Sequence, residues 1–185
     1  MNVLTTKLEG IAILEPVVFD DSRGYFLETY QVDRYHKAGF PESFVQDNLS
    51  FSTKGTLRGL HFQIQRPQVK LVQAVTGKIF DVVVDIRPAS KTFGQWAGVL
   101  LSEKNKRQVF IPAGFAHGFC VLSPTAHFLY KCSEFYDPDD EGGIIWSDPS
   151  IGIDWPIGEP IISEKDRGFP PLSELLPDQL PGHKQ

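Results

Sequence analysis

Several things are scarce in this chain, and each scarcity excludes something. Among 185 residues there are two cysteines, Cys120 and Cys132, one methionine and five histidines. No apolar run approaches the roughly 20 residues that a bilayer-spanning helix needs. The first residues, Met1-Asn2-Val3-Leu4-Thr5-Thr6-Lys7, lack the charged-then-apolar layout of an export signal. A cytoplasmic protein is expected, with both cysteines as free buried thiols rather than a disulfide. Excess positive charge is absent as well. A net charge of −5 argues against a general nucleic-acid footprint, and any anion must then be held by a local cluster of cations. The sequence has no Gly-x-Ser-x-Gly elbow, no Gly-rich phosphate loop and no dinucleotide fingerprint. These absences turn the reading away from hydrolase, kinase and dehydrogenase chemistry.

Helix signals are also few. The best is Gln31 to Ala38, stopped by Gly39 and Pro41, and a second is a turn or two near Leu172 to Leu176. Fourteen prolines and sixteen glycines divide the rest into short segments. Strands are expected at 11–14, 17–19, 25–30, 44–51, 57–63, 71–75, 79–86, 96–102, 108–111, 118–122 and 126–135. In the 79–86 segment Phe80, Val82, Val84 and Ile86 share one face and Asp81 and Asp85 the other, a period of two. Many short strands between turns favour a sandwich, jelly roll or barrel. The length suits one domain, residues 1–185, with a full core. From about residue 137 to 185 the chain turns irregular and proline-rich and is expected to wrap that domain, anchored by Ile144-Ile145-Trp146 and Ile151 to Pro156. The end, Leu180 to Gln185, is expected to fray.

With nucleophiles and phosphate loops absent, proton transfer remains. His61 lies in the apolar run Leu57-Arg58-Gly59-Leu60-His61-Phe62-Gln63, with Arg58 shortly before it and Lys70 shortly after. Imidazole exchanges protons near neutrality, and the two cations suit an anionic substrate. Arg58 and His61 are three apart, so a regular strand would aim them to opposite sides, and a bulge at Gly59 would bring them together. His117, in Pro112-Ala113-Gly114-Phe115-Ala116-His117-Gly118, is placed at a strand's mouth, where it either lines a ligand site or ties down its own loop. His127 begins a strand, and His36 and His183 are expected at the surface. No carboxylate follows His61 before Asp81, so the ligand spacing of a metal-binding cupin is missing and no metal is expected. A histidine base needs an orienting carboxylate, for which Ser163-Glu164-Lys165-Asp166 offers Asp166 or Glu164, and Tyr130 could serve as the acid; taken singly, Tyr130 reads as a core tyrosine and Asp166 as a turn or helix-cap carboxylate.

The motifs taken together resemble one family. Leu57 to Gln63, Lys70-Leu71-Val72, Gly77 to Arg87, Ile111 to Phe119, Tyr130, Tyr136, Glu141-Gly142-Gly143-Ile144, Asp148-Pro149 and Ile162-Ser163-Glu164-Lys165-Asp166 occur in the order seen in the dTDP-4-dehydrorhamnose 3,5-epimerases. The likeness covers roughly residues 3 to 175. Phe62 departs from a common tyrosine, and 64–69 is less typical. The resemblance implies an all-β, cupin-like jelly roll with a few short helices, a homodimer with shared active sites, and no cofactor. It implies a dTDP-sugar substrate, inverted at C3 and C5. By the same resemblance His61 is the base, Asp166 its partner, Tyr130 the acid, and Lys70 and Arg58 sit by the ketone or phosphates. His117 lines the sugar pocket, and Tyr136 stacks on thymine. Arg23, Phe26, Glu28, Gln46, Asn48, Glu141 and Lys165 bind the rest of the substrate, some of them from the partner chain. Three alternatives stay open: a single-site epimerase, a non-catalytic sugar-nucleotide binder and a metal-dependent cupin oxygenase.

Overall fold

The computed structural model describes residues 1–182. Among the described residues there are thirteen strands, two short α-helices and two single 3-10 turns, Leu172–Glu174, where a turn or two was expected, and Pro177–Gln179. The strands are β1 (Asn2–Thr5), β2 (Ala12–Glu15), β3 (Val18–Asp21), β4 (Gly24–Leu27), β5 (Gln46–Thr53), β6 (Leu57–Gln63), β7 (Lys70–Thr76), β8 (Lys78–Asp85), β9 (Trp96–Ser102), β10 (Gln108–Ile111), β11 (Phe115–Val121), β12 (Thr125–Cys132) and β13 (Glu141–Gly143). The helices are α1 (Val32–Lys37) and α2 (Glu164–Arg167). A six-stranded antiparallel sheet, ordered β1-β2-β10-β7-β12-β5, faces a five-stranded one, β13-β6-β11-β8-β9, and β3-β4 forms a separate hairpin. This is the cupin-like jelly roll that the motifs implied.

Alternation along the strands builds three apolar layers. Between the sheets pack Val72, Ala74, Val83, Ala97, Val99, Leu101, Val109, Phe119 and Phe128 among others. Behind the five-stranded sheet, Val82 and Val84 of one β8 face, and Ile86 just after the strand, meet Ile144, Ile151, Trp155, Ile162, Leu172 and Leu180 of the C-terminal segment. Behind the six-stranded sheet, Leu14, Leu71 and Phe110 meet Tyr35 and Phe40, from α1 and the turn after it. At about 25 cal/mol per Å² of apolar surface removed from water, such layers dominate stability. Both faces of β8 are therefore buried, and its aspartates must be satisfied inside the protein. Asp81 accepts from His117, and Asp85 from Arg87, Ser90 and Thr92. Burial opposes ionisation of Asp85, but the Arg87 guanidinium and the two hydroxyls prevail and lower its pKa to about 2.

Several expectations need correction. The strand beginning at Tyr25 stops at Leu27, because the Thr29 carbonyl is taken by Tyr35 Oη at 2.9 Å and Gln108 Nε2 at 2.7 Å. β11 starts at Phe115, not Gly118, since residues 115–117 pair with Asp85, Val84 and Val83. His117 is thus inside a strand rather than at its mouth. His127 is likewise within β12, bonded to Thr76 Oγ1 at 2.9 Å. Leu180 does not fray: it is buried in the C-terminal layer. His36 is exposed as expected, whereas His183 lies outside the described residues. Strands β1 and β13 and helix α2 had no clear signal, being three or four residues long. Both cysteines are free and buried.

Candidate active site

One cavity of about 390 Å³ opens between the two sheets. From the five-stranded sheet come Arg58, His61 and Gln63 of β6, His117 of β11 and Glu141 of β13; from the six-stranded sheet come Gln46, Asn48 and Ser50 of β5, Lys70 of β7 and Tyr130 and Cys132 of β12. Tyr136 lies at its edge.

How Arg58 and His61 reach the same cavity is settled by a bulge. His61 pairs with His117, but Arg58 pairs with Phe119, so two β6 residues oppose Gly118 alone. The count along β6 shifts by one, and both polar side chains face inward while Leu57, Leu60 and Phe62 face the C-terminal layer. Gly59 sits in this bulge at φ +120°, where a Cβ would come within 2.6 Å of Gly118 Cα. Only glycine fits there.

His61 Nε2 lies 2.9 Å from Asp166 Oδ1. Asp166 is held by α2, whose N-cap is Ser163: its hydroxyl accepts from the Asp166 N–H at 3.1 Å. Ser163, not Asp166, is therefore the capping residue. Asp166 Oδ2 accepts from the Gly59 N–H at 3.1 Å. Burial disfavours the charge on Asp166, which is 4% exposed, but His61, Gly59 and Ser163 outweigh it and the net pKa is lowered. An ionised carboxylate only accepts, so Nε2 carries the proton and Nδ1 keeps the lone pair. A second such pair lies beside the first, His117 Nε2 to Asp81 Oδ2 at 2.8 Å, with the His117 ring stacked on Phe128.

Across the cavity, Tyr130 packs on Phe128 with ring centroids 5.7 Å apart. Burial raises its pKa, which keeps the phenol protonated. Lys70 has the opposite bias: burial lowers its pKa, partly offset at a distance by Cys132, Glu141 and Asp81. Arg58 Nε donates to Ser52 Oγ at 3.0 Å. Gln46 accepts from the Tyr136 N–H at 2.9 Å and donates to Asn48, and Asn48 reaches Cys132 Sγ at 3.8 Å. Glu141 Oε2 accepts from Tyr136 Oη at 2.7 Å and from Lys165 Nζ.

Three anticipated residues lie elsewhere. The Arg23 side chain is 88% exposed and bonded to Asp21, Phe26 is 69% exposed, and Glu28 pairs with Arg34. Arg23 and Phe26 line a separate surface hollow on the β3-β4 hairpin. Sequence reasoning missed Ser50, Gln63, Gln68 and Cys132 as lining residues, and Asp81 as the partner of His117. The alternation Gln46, Asn48, Ser50 against exposed Asp47, Leu49 and Phe51 was an available signal for the first of these. Ser50 Oγ is buried with no hydrogen-bond partner among the described residues.

A family model described as dTDP-4-dehydrorhamnose 3,5-epimerase matches residues 5–174. The chain belongs to that family. It is 54% identical over 168 residues to a Shigella flexneri protein named dTDP-4-dehydrorhamnose 3,5-epimerase, covering 90% of this chain and 93% of that one. It is 43% identical over 176 residues to a Streptomyces niveus protein named dTDP-4-dehydrorhamnose 3-epimerase, covering 94% and 85%. Its fold superimposes with a TM-score of 0.96, at 48% identity and over 100% of this chain and 99% of the other, on a Legionella pneumophila epimerase solved in complex with dTDP-4-keto-L-rhamnose.

Proposed function

We propose that this protein inverts C3 and C5 of dTDP-4-dehydro-6-deoxy-D-glucose, giving dTDP-4-dehydro-L-rhamnose for dTDP-L-rhamnose synthesis, without a cofactor. The observation that supports this most is the opposed pair: an imidazole bonded to an ionised carboxylate on one sheet, and a protonated phenol on the other, across one cavity. The C4 ketone acidifies the hydrogens on both neighbouring carbons. His61 Nδ1 takes one proton, the C–H electron pair passes into the ring as an enolate, and Asp166 stabilises the imidazolium. A positioned base contributes roughly 10²–10⁴ in rate, too little for a carbon acid alone. Lys70 therefore stands by the enolate oxygen, where such a donor is worth about 2.7–4 kcal/mol. Tyr130 returns a proton to the opposite ring face, which inverts the centre; the imidazolium then releases its proton to solvent and the tyrosinate recovers one, so that the same pair can act at the second carbon. Arg58 and Lys165 hold the diphosphate, His117 lines the sugar pocket, and Gln46, Asn48, Tyr136 and Glu141 form the nucleotide side of the cavity.

We propose further that the protein is a cytoplasmic homodimer of single jelly-roll domains spanning residues 1–185, each wrapped by its own segment from about residue 137. Arg23, Phe26 and Glu28, remote from the cavity of their own chain, would complete the partner's site. The exposed Phe19, Tyr25 and Phe26 of the β3-β4 hairpin, with Val17 just before it, suit burial against a second copy. Among the described residues no helix is long and apolar enough to cross a membrane.

The test is solvent exchange. His61→Asn should abolish deuterium incorporation at C3 and C5 in heavy water, and exchange near the wild-type rate in that variant would remove His61 as the base. Single-site inversion is the second reading, since a relative named as a 3-epimerase covers nearly the whole chain. Proton NMR of the product separates the two.

A further inference from the structure

His61 is flanked by two carboxylates, and only one of them is accounted for by the proton transfer above. Asp166 of α2 bonds Nε2, while Glu141 of β13 brings Oε1 to 3.9 Å from Nδ1, the nitrogen that bears the lone pair. β13 is paired to β6 directly at this point, Gly143 opposite His61, so the backbone fixes where the Glu141 strand runs. The other oxygen of Glu141, Oε2, is bonded by Tyr136 Oη and by Lys165 Nζ. Its side chain is 10% exposed.

We propose that Glu141 is a positioning residue for the base: its carboxylate, oriented by Tyr136 and Lys165, faces Nδ1 and stabilises the imidazolium formed when that atom takes a proton. The inference rests on His61 acting as the base and adds to Glu141 a role apart from nucleotide contact. The distance is too long for a hydrogen bond and short enough for a strong charge interaction in a partly desolvated site. Among the causes that keep Glu141 ionised, after the opposing effect of burial, are Lys165, Tyr136 and the His61 charge. Such coupling is reciprocal, so the charge on Glu141 favours protonated His61 as much as the converse. Other groups face the ring from every side: Asp166 and the Phe169 ring edge from α2 and the residues after it, His117 from β11, Arg58 from its own strand, and Lys70 and Tyr130 across the cavity. Asp166 and Glu141 are the carboxylates within 4 Å of the ring nitrogens among the described residues.

The experiment is an NMR titration of the His61 ring in the full-length protein, assigned by comparison with His61→Asn, alongside kcat/KM against pH. In Glu141→Gln the ring midpoint should move to lower pH by at least about half a unit, and the acidic limb of kcat/KM should move with it. Glu141→Asp should restore most of the shift. Lys165→Met, which leaves the carboxylate uncompensated, should move the midpoint upward and serves as the second arm if Glu141→Gln folds poorly. A midpoint within 0.2 unit of wild type in both Glu141→Gln and Lys165→Met, with only KM raised, would overturn the proposal. No exchange chemistry in the wild-type protein, with the ring midpoints still moving, would instead overturn the epimerase reading and with it the positioning role, leaving only the charge interaction between Glu141 and His61.

Discussion

Replacing Asp166 by Asn tests the site at its most constrained point. Asp166 receives two hydrogen bonds, from His61 Nε2–H at 2.9 Å and Gly59 N–H at 3.1 Å, and its own N–H is held by Ser163. An amide of the same shape can offer its NH₂ to Nε2. The ring proton would then move to Nδ1, and the lone pair that faces the cavity would be lost. The imidazolium formed in the reaction would also lose the nearer of its two counter-charges, keeping only Glu141 at 3.9 Å. Where the carboxylate of a His–Asp pair is made an amide, the cost is about 10⁴ in kcat, or roughly 5.4 kcal/mol at 1.36 kcal/mol per decade. Stability should change much less, falling by about 1–3 kcal/mol, since the Gly59 N–H keeps a neutral acceptor. The pH dependence carries a sign. The folded pKa of Asp166 is lowered, so its ionisation adds stability above the unfolded carboxyl's pKa, and that stability is lost as pH falls through the folded value. The stability gap between wild type and Asp166→Asn should therefore be full at pH 7 and close as pH drops below about 4. Deuterium wash-in at C3 and C5 measures the first effect, and urea unfolding at several pH values the second. An Asp166→Asn variant that exchanges within tenfold of wild type would refute the assigned tautomer and the role of the pair.

Tyr130→Phe should keep measurable exchange but lose inverted product, and it should unfold within about 1 kcal/mol of wild type because no hydrogen bond from the described residues holds the phenol; full epimerisation by this variant would take Tyr130 out of the mechanism. Gly59→Ala places a Cβ 2.6 Å from Gly118 Cα and 2.8 Å from the His117 carbonyl at φ +120°, so chemical denaturation should show a loss above about 2 kcal/mol together with loss of activity. Mixing inactive Arg23→Ala and His61→Asn proteins through a denature–refold cycle should regenerate activity if sites are shared between protomers; no recovery, with dimers formed, would confine each site to one chain.

Sequence alone carried the strand menu, because the alternation of apolar and other residues is local and the Pro/Gly turns bound it. Segments 57–63, 96–102 and 108–111 match β6, β9 and β10 at both ends. The sequence also signalled the bulge, since Arg58 and His61 could share a pocket only if the strand slipped at Gly59. The short elements were illegible for the complementary reason. β13 and α2 are too brief to show a period; β13 exists because β6 offers it an edge, and α2 adds only its cap at Ser163 to that tertiary support. Asp166, read singly, was a cap or turn residue. Its pairing with His61 joins positions 105 apart, and no local pattern encodes a contact of that separation. The same holds for His117 with Asp81 and for Glu141 beside Nδ1. Side-chain chemistry fixed which groups were available for proton transfer. The packing of two sheets decided which of them met, which were stranded on the outer hairpin, and which carboxylate faced which nitrogen, because those distances depend on the whole chain closing around one cavity.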